Sequence, residues 1–256
     1  MIAFHKQPSL LHRTDPLGKL VLLFCIALLT MRFHSSLGQA LLLAAVFALA
    51  RWAGGMPWKK QAKALAILLG FAVPYFIVTL LTAAGEHVFM QLGPLRLTTE
   101  ALDSAGSVTV RMFTVFLSSY VFMFTTDPRD MVVSLTTRLR IPYRFAFGLS
   151  MALTFLPLLQ EEGRSISAAH QVRGGGTPEG LRGRLRWWLT FISAVMHNAL
   201  RRIQQTAGAM EAKGFGAYPD RTFVRESMPL GRGIVLAGTA VALTAFLWWF
   251  IHIVNL

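Results

Sequence analysis

The sequence predicts an all-α integral membrane protein with about five transmembrane helices and a cytoplasmic insertion of amphipathic helices. Three observations lead to this fold class. Hydrophobic residues make up 54% of the 256 residues and charged residues only 14%, and the mean hydropathy is +0.51. These values lie outside the usual range of soluble proteins. Long uncharged stretches recur along the chain, and the cations concentrate in segments that would face one side of a membrane.

Five apolar stretches without charged residues are the candidate membrane spans. They are residues 20–31, 37–50, 64–85, 112–126 and 233–251. A helix needs about 20 apolar residues to cross a bilayer, or fewer where flanking cations reach outward. The third and fifth stretches meet this length. The first two need Lys19, Arg32 and Arg51 as flanking cations. The fourth must begin near Ser104 and tolerate Arg111, which either binds a polar partner in the membrane or reaches the outer surface.

The distribution of positive charge predicts the orientation. With the N-terminus inside, all of the 25 Lys and Arg residues except Arg32, Arg96 and Arg111 lie on or towards the inner side. Cations are retained in the cytoplasm during insertion, so we expect a cytoplasmic N-terminus, an external C-terminus and no cleaved signal peptide. The formal net charge of +13 is then explained by topology and by attraction to the lipid bilayer. No nucleic-acid partner is expected.

Two further uncharged stretches, residues 145–160 and 187–200, are predicted not to cross. If both crossed, the arginines between Arg164 and Arg186 would move outside, against the charge rule. The first stretch begins a helix of about 30 residues, and whether residues 145–160 enter the membrane stays open. The second belongs to an amphipathic helix of about 27 residues, from Trp187 to Lys213, with apolar side chains every three or four positions.

The chain is therefore divided into three segments. Residues 1–126 hold membrane helices 1–4, residues 127–232 form the cytoplasmic coupling-helix region, and residues 233–256 form the last membrane helix. Thr-Asp-Pro at residues 14–16 and again at 126–128 predicts a capped helix start with proline at the first helical position. Glycines at 174–176, and at 214 and 216, predict the ends of the two long helices.

Two basic tripeptides stand at those ends. They are Val172-Arg173-Gly174 and Ala212-Lys213-Gly214. A cation followed by glycine presents a positive charge where the helix stops. Taken singly, either cation is an ordinary solvated charge that the helix dipole favours. Two of them in matched settings predict docking tips for a partner that exerts force on the helices.

Little in the sequence indicates catalysis. No phosphate loop of the form GxxxxGK[ST] occurs, so ATP hydrolysis by this chain is not expected. The seven histidines are scattered and are expected to be interfacial or surface residues. Glu161 and Glu162 are neighbours on a helix and point about 100° apart, which does not suit an acid–base pair. The single Cys25 is expected to be a packing residue. We expect no catalytic residue, cofactor or metal site.

Two other classes of function stay open. A membrane enzyme acting on lipid phosphates would need clustered acidic residues for a metal, and the 12 acidic residues form no repeated array. A self-sufficient carrier or channel would need polar or broken spans around a site at mid-membrane, for which only Gln39 and Pro74 are candidates.

Several sequence blocks, in this order, carry a family resemblance. They are LHRTDPLGK at residues 11–19, TTDPRD at 125–130, IP at 141–142, LTFLPLLQEE at 153–162, VRG at 172–174 and AMEAKGF at 209–215. The chain resembles the transmembrane T component of energy-coupling factor (ECF) transporters, a family that includes the cobalt and biotin transport permeases. The resemblance covers nearly the whole chain. It implies a multi-pass protein of a bacterial or archaeal cell membrane.

In that family an Ala-Arg-Gly motif ends each of two coupling helices, and the arginines dock on two ABC-type ATPase subunits, which are identical or different. The resemblance assigns this role to Arg173 and Lys213. Val172 in place of alanine changes little. Lys213 stands in place of the second arginine. A guanidinium can form two hydrogen bonds with one carboxylate, whereas the lysine ammonium is a single point charge.

The resemblance also implies a separate substrate-binding membrane protein, the S component, which contacts the coupling helices. The apolar stripes assigned to it are Phe145, Leu149, Leu153 and Leu156, and Trp188, Ile192, Val195, Ala199, Ile203 and Met210. The alternative is that these stripes pack on each other and on the spans. Small residues at positions 146, 148, 150 and 152 are expected to permit close helix approach. The cargo, a vitamin or a transition-metal ion, is not encoded in this chain.

Overall fold

The computed structural model describes residues 9–33, 35–83, 88–92, 95–139, 141–173, 180–217 and 230–254. Its helices are α1 Pro16–Arg32, α2 Ser36–Trp52, α3 Trp58–Thr82, α4 Thr99–Thr125, α5 Pro128–Arg138, α6 Tyr143–Val172, α7 Gly180–Ala212 and α8 Leu230–Val254. The chain divides into two compact units. The membrane unit is Met1–Ser134 with Ser227–Leu256, and the helix-pair unit is Leu135–Glu226.

The helices confirm the predicted all-α membrane fold. Three of them, α3, α4 and α8, are long and apolar enough to cross a bilayer, and α2 is a shorter apolar helix of 17 residues. The fourth span begins at Thr99, earlier than the predicted start near Ser104, and so reaches 27 residues. Thr98 fixes this start, because its hydroxyl accepts a hydrogen bond from the Ala101 N–H at 3.2 Å.

A short hairpin between α3 and α4 was not predicted. Strand β1, Val88–Leu92, pairs antiparallel with β2, Leu95–Thr98, so that Gln91 lies opposite Arg96. Only β2, with the sequence LRLT, alternates between apolar and polar residues, and both strands are short, so the sequence pattern for a hairpin is weak. The hairpin leads directly into α4.

Helix α4 lies at the centre of the membrane unit and packs against α1, α2 and α3. Leu117 is fully buried and forms a cluster with Ile26 of α1 and Val46 of α2. Cys25 is also buried, as expected of a packing residue. Burial of these side chains supports a close association of the helices, since dispersion contacts drive helix packing where lipid replaces water.

The first and last helices cross at a pair of glycines. A Cβ atom on Gly18 of α1 would lie 2.5 Å from the carbonyl oxygen of Gly233 in α8. A Cβ atom on Gly233 would lie 2.6 Å from the Cβ of Asp15. Neither position has room for any side chain. The contact closes the membrane unit, because it joins its N-terminal helix to its C-terminal helix.

Buried polar contacts join α1 to the ends of α4 and α5. Lys19 is 4% exposed, and its ammonium group donates to the Thr125 carbonyl oxygen at 2.8 Å. Asp15 occupies the N-cap position of α1 but makes no capping hydrogen bond with its side chain, contrary to the predicted cap. Its carboxylate instead accepts a hydrogen bond from the Ser134 hydroxyl at 2.8 Å. Asp15 therefore holds a distant segment in place.

His12 corrects the expectation that the histidines are interfacial or surface residues. Its side chain is only 5% exposed. Nδ1 lies 2.5 Å from the Ser9 hydroxyl oxygen, and the ring packs edge-on against Phe124 with 5.9 Å between centroids. The hydrogen bond at Nδ1 and the contact with Phe124 offset part of the cost of burying the ring.

The other end of α1 is held by two side chains. Gln39 is fully buried, and its amide nitrogen donates to the carbonyl oxygens of Thr30 at 2.6 Å and Phe33 at 2.7 Å. Arg111 also donates to the Phe33 carbonyl oxygen, at 3.2 Å. The last carbonyls of a helix have no partner within the helix. Arg111 thus has a polar partner, and Gln39 has a structural role that requires no transport site.

Candidate functional site

The first predicted tip lies at the end of α6, a helix of 30 residues that matches its predicted length. Arg173 is the C-cap residue, and its backbone N–H donates to the Ala169 carbonyl oxygen at 3.2 Å. Val172 is 88% exposed, and Arg173 is also exposed. Gly174 of this tripeptide lies outside the described residues. The last turn therefore presents a cation whose backbone is still fixed by the helix.

The second predicted tip lies at the end of α7 and is held by a Schellman motif. Gly214 adopts a left-handed φ of +76°, which favours glycine. The Phe215 N–H donates to the Met210 carbonyl oxygen at 2.9 Å, and the Gly214 N–H donates to the Glu211 carbonyl oxygen at 2.9 Å. Ala212, Lys213 and Gly214 are all exposed. The motif fixes the backbone beneath Lys213 and confirms the predicted glycine stop.

Aromatic contacts set the direction of α6 and α7. Phe215, just beyond α7, packs on Phe147 near the start of α6, with 4.7 Å between ring centroids. Phe191, near the middle of α7, lies against Gly163, where an added Cβ would come within 3.3 Å of its ring. Residue numbers thus rise along α6 while they fall along α7, so the helices run antiparallel.

Because of this antiparallel arrangement, the two cationic tips lie at opposite ends of the helix-pair unit. The Lys213 tip lies beside the first turns of α6, whereas Arg173 follows its last turn. At ~1.5 Å per residue, the intervening length of α6 is roughly 40 Å. Sequence analysis identified both tips but not their separation, which depends on the packing of the pair.

The apolar stripe predicted on α6 is largely exposed. Phe145 is 66% exposed, and Leu149 and Leu156 are nearly half exposed, while Leu153 is half-buried. Gly148 on the same face has open space around it, so it does not mediate a close contact within the described residues. Ala146 is buried. An exposed apolar face of this size is typical of an interaction surface or of a lipid-facing surface.

The apolar stripe predicted on α7 is partly exposed and partly buried. Trp188, Ile192 and Ile203 are exposed by about half, Val195 and Met210 are half-buried, and Ala199 is buried. Trp187 and Phe191, which the prediction did not include, stack with 5.3 Å between centroids on the side that contacts α6.

Helix α7 begins at Gly180, seven residues before the predicted start at Trp187. The added segment is GLRGRLR, in which two leucines and three arginines are strong helix formers and two glycines are weak ones. It extends the exposed apolar face by Leu181 and Leu185. Helix propensity of the segment around Arg182 was the signal that could have revealed this start.

Comparison with known proteins is consistent with this arrangement. The model of the family CbiQ, cobalt transport protein, matches residues 7–223. The energy-coupling factor transporter transmembrane protein EcfT of Exiguobacterium sibiricum is 30% identical, over 92% of this chain and 93% of that protein. The EcfT proteins of Heliobacterium modesticaldum and Bacillus subtilis are 29% and 24% identical, each over 94% of this chain and over 93% and 94% of their own lengths.

The family model covers both units and both helices that carry the tips, although it ends before α8. The EcfT relatives extend the similarity over more than nine-tenths of the chain. The chain therefore belongs to the CbiQ family of cobalt transport proteins and is a transmembrane component of the energy-coupling factor type.

Proposed function

We propose that this chain is the coupling subunit of an ECF-type importer. Its two cationic tips dock on two ABC-type ATPase subunits, and its helix pair transmits their ATP-driven motion to a separate S component. The S component carries the cargo, a vitamin or a transition-metal ion. The chain itself performs no catalysis in this proposal. The observation that carries the proposal is the pair of exposed, backbone-fixed cations at opposite ends of one antiparallel helix pair.

The geometry of the tips suits a dimeric motor. Two ATPase subunits that approach each other on binding ATP need two attachment points that can be displaced relative to each other. Arg173 and Lys213 supply them at separate helix ends, roughly 40 Å apart by the ~1.5 Å rise per residue. A helix transmits displacement along its axis, because its backbone hydrogen bonds resist bending. The Schellman motif at Gly214 keeps Lys213 fixed to α7 rather than on a loose loop.

The exposed apolar faces of α6 and α7 support the second half of the proposal. Isolated soluble domains rarely expose such large apolar areas, and an all-helical partner in the membrane would cover them. Phe145 and Leu149 on α6, and Trp188 and Ile192 on α7, are the exposed members we assign to the S component. In the proposed orientation the N-terminus and the helix-pair unit lie on the cytoplasmic side, where the ATPases are.

Charge reversal at the tips tests the docking. The Arg173→Glu, Lys213→Glu double variant is co-expressed with the ATPase subunits and the S component, and the complex is purified through a tag on this chain. We expect loss of the ATPases from the complex and loss of uptake, because each tip then repels the carboxylates that it is proposed to bind. Each single variant should retain the ATPases partially.

The matched control is the Arg201→Glu, Arg202→Glu double variant. Both arginines are exposed on α7 away from its tip, so the change in net charge is the same. This control should keep the ATPases and uptake. Assembly and uptake at wild-type levels in the Arg173→Glu, Lys213→Glu variant would contradict the docking proposal.

The orientation is tested separately by cysteine labelling. Cys25 is the single cysteine and is buried, so a Cys25→Ser background leaves no native thiol. Arg173→Cys or Lys213→Cys in this background should react with a membrane-impermeant reagent only in inside-out vesicles. Reaction in intact cells would overturn the cytoplasmic placement.

A further inference from the structure

A groove of about 600 Å³ lies on the surface of the membrane unit between α2, α3 and α4. Its volume is within the range of small-molecule sites, which is roughly 300–1,000 Å³. Alanines at positions 40, 44 and 48 form one side along α2, where larger side chains would fill the space. Val110 of α4 contributes to the lining. Ala40 and Ala44 are exposed, so the groove is open to the surroundings of the unit.

Two aromatic side chains form one end of the groove. Phe47 of α2 and Trp58 of α3 stack with 5.9 Å between ring centroids and an angle of 24° between their planes. Trp58 is 59% exposed, and Trp52, which also lines the groove, is 82% exposed. Tryptophan is enriched where a membrane meets water. The aromatic end of the groove therefore marks the level of the lipid headgroups.

The same end carries positive charge. Arg51 lines the groove, and it is the only charged side chain among the described residues that do so. It is exposed and follows the last apolar turns of α2. The connection from α2 to α3 is short, and α3 begins with Trp58 followed by the exposed Lys59. Arg51 and Lys59 consequently lie at the same end of the unit.

The length of the groove matches one leaflet. From Ala40 to Arg51 the α2 axis extends about 16 Å, at 1.5 Å per residue. Half of a hydrocarbon core of about 30 Å is of similar length. In the orientation proposed above, the charged end faces the cytoplasm, so the groove lies in the inner leaflet, which is the leaflet with the anionic lipid surface.

We propose that this groove is a binding site for an anionic phospholipid. One acyl chain lies along the alanine side of α2, and the phosphate-bearing headgroup pairs with Arg51, with Lys59 nearby. The apolar length selects a lipid chain, and the cation at one end selects a negative headgroup over a zwitterionic one. A single phospholipid molecule supplies both an apolar chain for the alanine side and an anionic group for Arg51. The site does not depend on the docking of ATPases.

The first test measures lipid preference directly. The purified full-length chain is titrated with phosphatidylglycerol and with phosphatidylcholine, and bound lipids are counted by native mass spectrometry. We expect preferential retention of phosphatidylglycerol, and the Arg51→Gln variant should reduce this preference about five-fold, the factor for one basic side chain near a lipid surface. Arg201→Gln, an exposed arginine of α7, is the matched control and should leave the preference unchanged. An unchanged preference in Arg51→Gln would overturn the proposal.

The second test fills the groove. Ala44→Phe should reduce binding of both lipids, because its ring occupies the space of the acyl chain. Ala66→Phe, at an exposed alanine of α3 that does not line the groove, should bind lipid as the wild type does. Gel filtration establishes that each variant is folded. Wild-type binding by folded Ala44→Phe would place the lipid elsewhere and overturn the proposal.

The third test identifies the occupant in the assembled transporter. A photocrosslinking residue at position 44 should form adducts with the mass of a phospholipid in complexes purified from membranes. Adducts with another protein subunit would assign the groove to a protein partner instead. Because the Arg51→Gln variant can lose its lipid while the tips still retain the ATPases, failure of this proposal is distinguishable from failure of the docking proposal.

Discussion

The two units of this chain differ in the contacts that hold their helices together. In the membrane unit, three polar side chains reach backbone carbonyl oxygens of other segments: Lys19 donates to Thr125, and Gln39 and Arg111 donate to Phe33 at the end of α1. In the helix-pair unit the long helices contact each other through a narrow aromatic seam and leave large apolar faces exposed. Exposed apolar side chains occur in both units, so the units differ in the polar contacts between their helices rather than in apolar exposure.

Mutations in the two units should therefore have different consequences. Changes at the buried contacts of the membrane unit should act mainly on stability, because they remove contacts that nothing else in the unit replaces. Changes on the exposed faces of the helix pair should act mainly on assembly, since those side chains make few contacts within the chain. The following predictions test this division.

The largest effect is expected at the glycine crossing. Gly18→Ala should destabilise the chain by more than about 2 kcal/mol, because its Cβ would meet the Gly233 carbonyl oxygen at 2.5 Å and a backbone cannot yield easily. Thermal unfolding in detergent measures the change. Gly238→Ala on α8, where the added Cβ has open space, is the control and should be neutral or stabilising by about 0.5–1 kcal/mol. Equal stability of the two variants would contradict the crossing.

Lys19 should have the next largest effect. Lys19→Met keeps the apolar stem but removes the donor to the buried Thr125 carbonyl oxygen, which should destabilise the chain by about 1–3 kcal/mol. The same substitution at Lys59, which is exposed, should change stability by less than about 0.5 kcal/mol. Chemical or thermal unfolding of both variants in one detergent provides the comparison. A neutral Lys19→Met would show that the buried hydrogen bond contributes nothing.

Adjacent residues of α7 separate packing from partner contact. Phe191→Ala removes a ring that stacks on Trp187 and lies against Gly163, so it should destabilise the chain by about 1–2 kcal/mol. Ile192→Ala, at a side chain that is 48% exposed, should change stability by less than about 0.5 kcal/mol but weaken retention of the S component. Unfolding and co-purification are measured on both. The division fails if Ile192→Ala destabilises the isolated chain as much as Phe191→Ala does.

The smallest effect is expected from Lys213→Arg. Stability should not change, because the side chain is exposed and the backbone is held by Gly214. Retention of the ATPases should rise several-fold at high salt, since a guanidinium can form two hydrogen bonds with one carboxylate. Arg173→Lys should lower retention in the same assay. Lys213→Arg complexes that dissociate at lower salt than the wild type would contradict a carboxylate partner at this tip.

Local patterns in the sequence predicted much of this fold. The start of α6 follows from Pro142 and an apolar run, and its end follows from glycines at 174–176 in the sequence. The end of α7 follows from Gly214, whose left-handed φ favours glycine. Three of the five predicted stretches correspond to α3, α4 and α8, the described helices that are long and apolar enough to cross a bilayer. These features depend on residues that are near each other in the chain.

Other features could not be read from the sequence because they join distant residues. Asp15 looks like a helix cap beside Pro16, but its carboxylate binds Ser134, which only the packing of α5 brings near. His12 looks like a surface residue until Phe124 packs over it. The opposite placement of Arg173 and Lys213 likewise depends on the antiparallel pairing of their helices. The candidate site residues could be identified from the sequence, but their relative positions depend on how the helices pack.

The central claim is that two separated cationic tips reach two ATPase subunits. The most direct test places photocrosslinking residues at 173 and 213 of one chain in the assembled transporter. We expect adducts from each position to an ATPase subunit, and a ternary product of one chain with two ATPase subunits when both positions are labelled. Adducts to only one ATPase subunit from both positions, or to none, would contradict it.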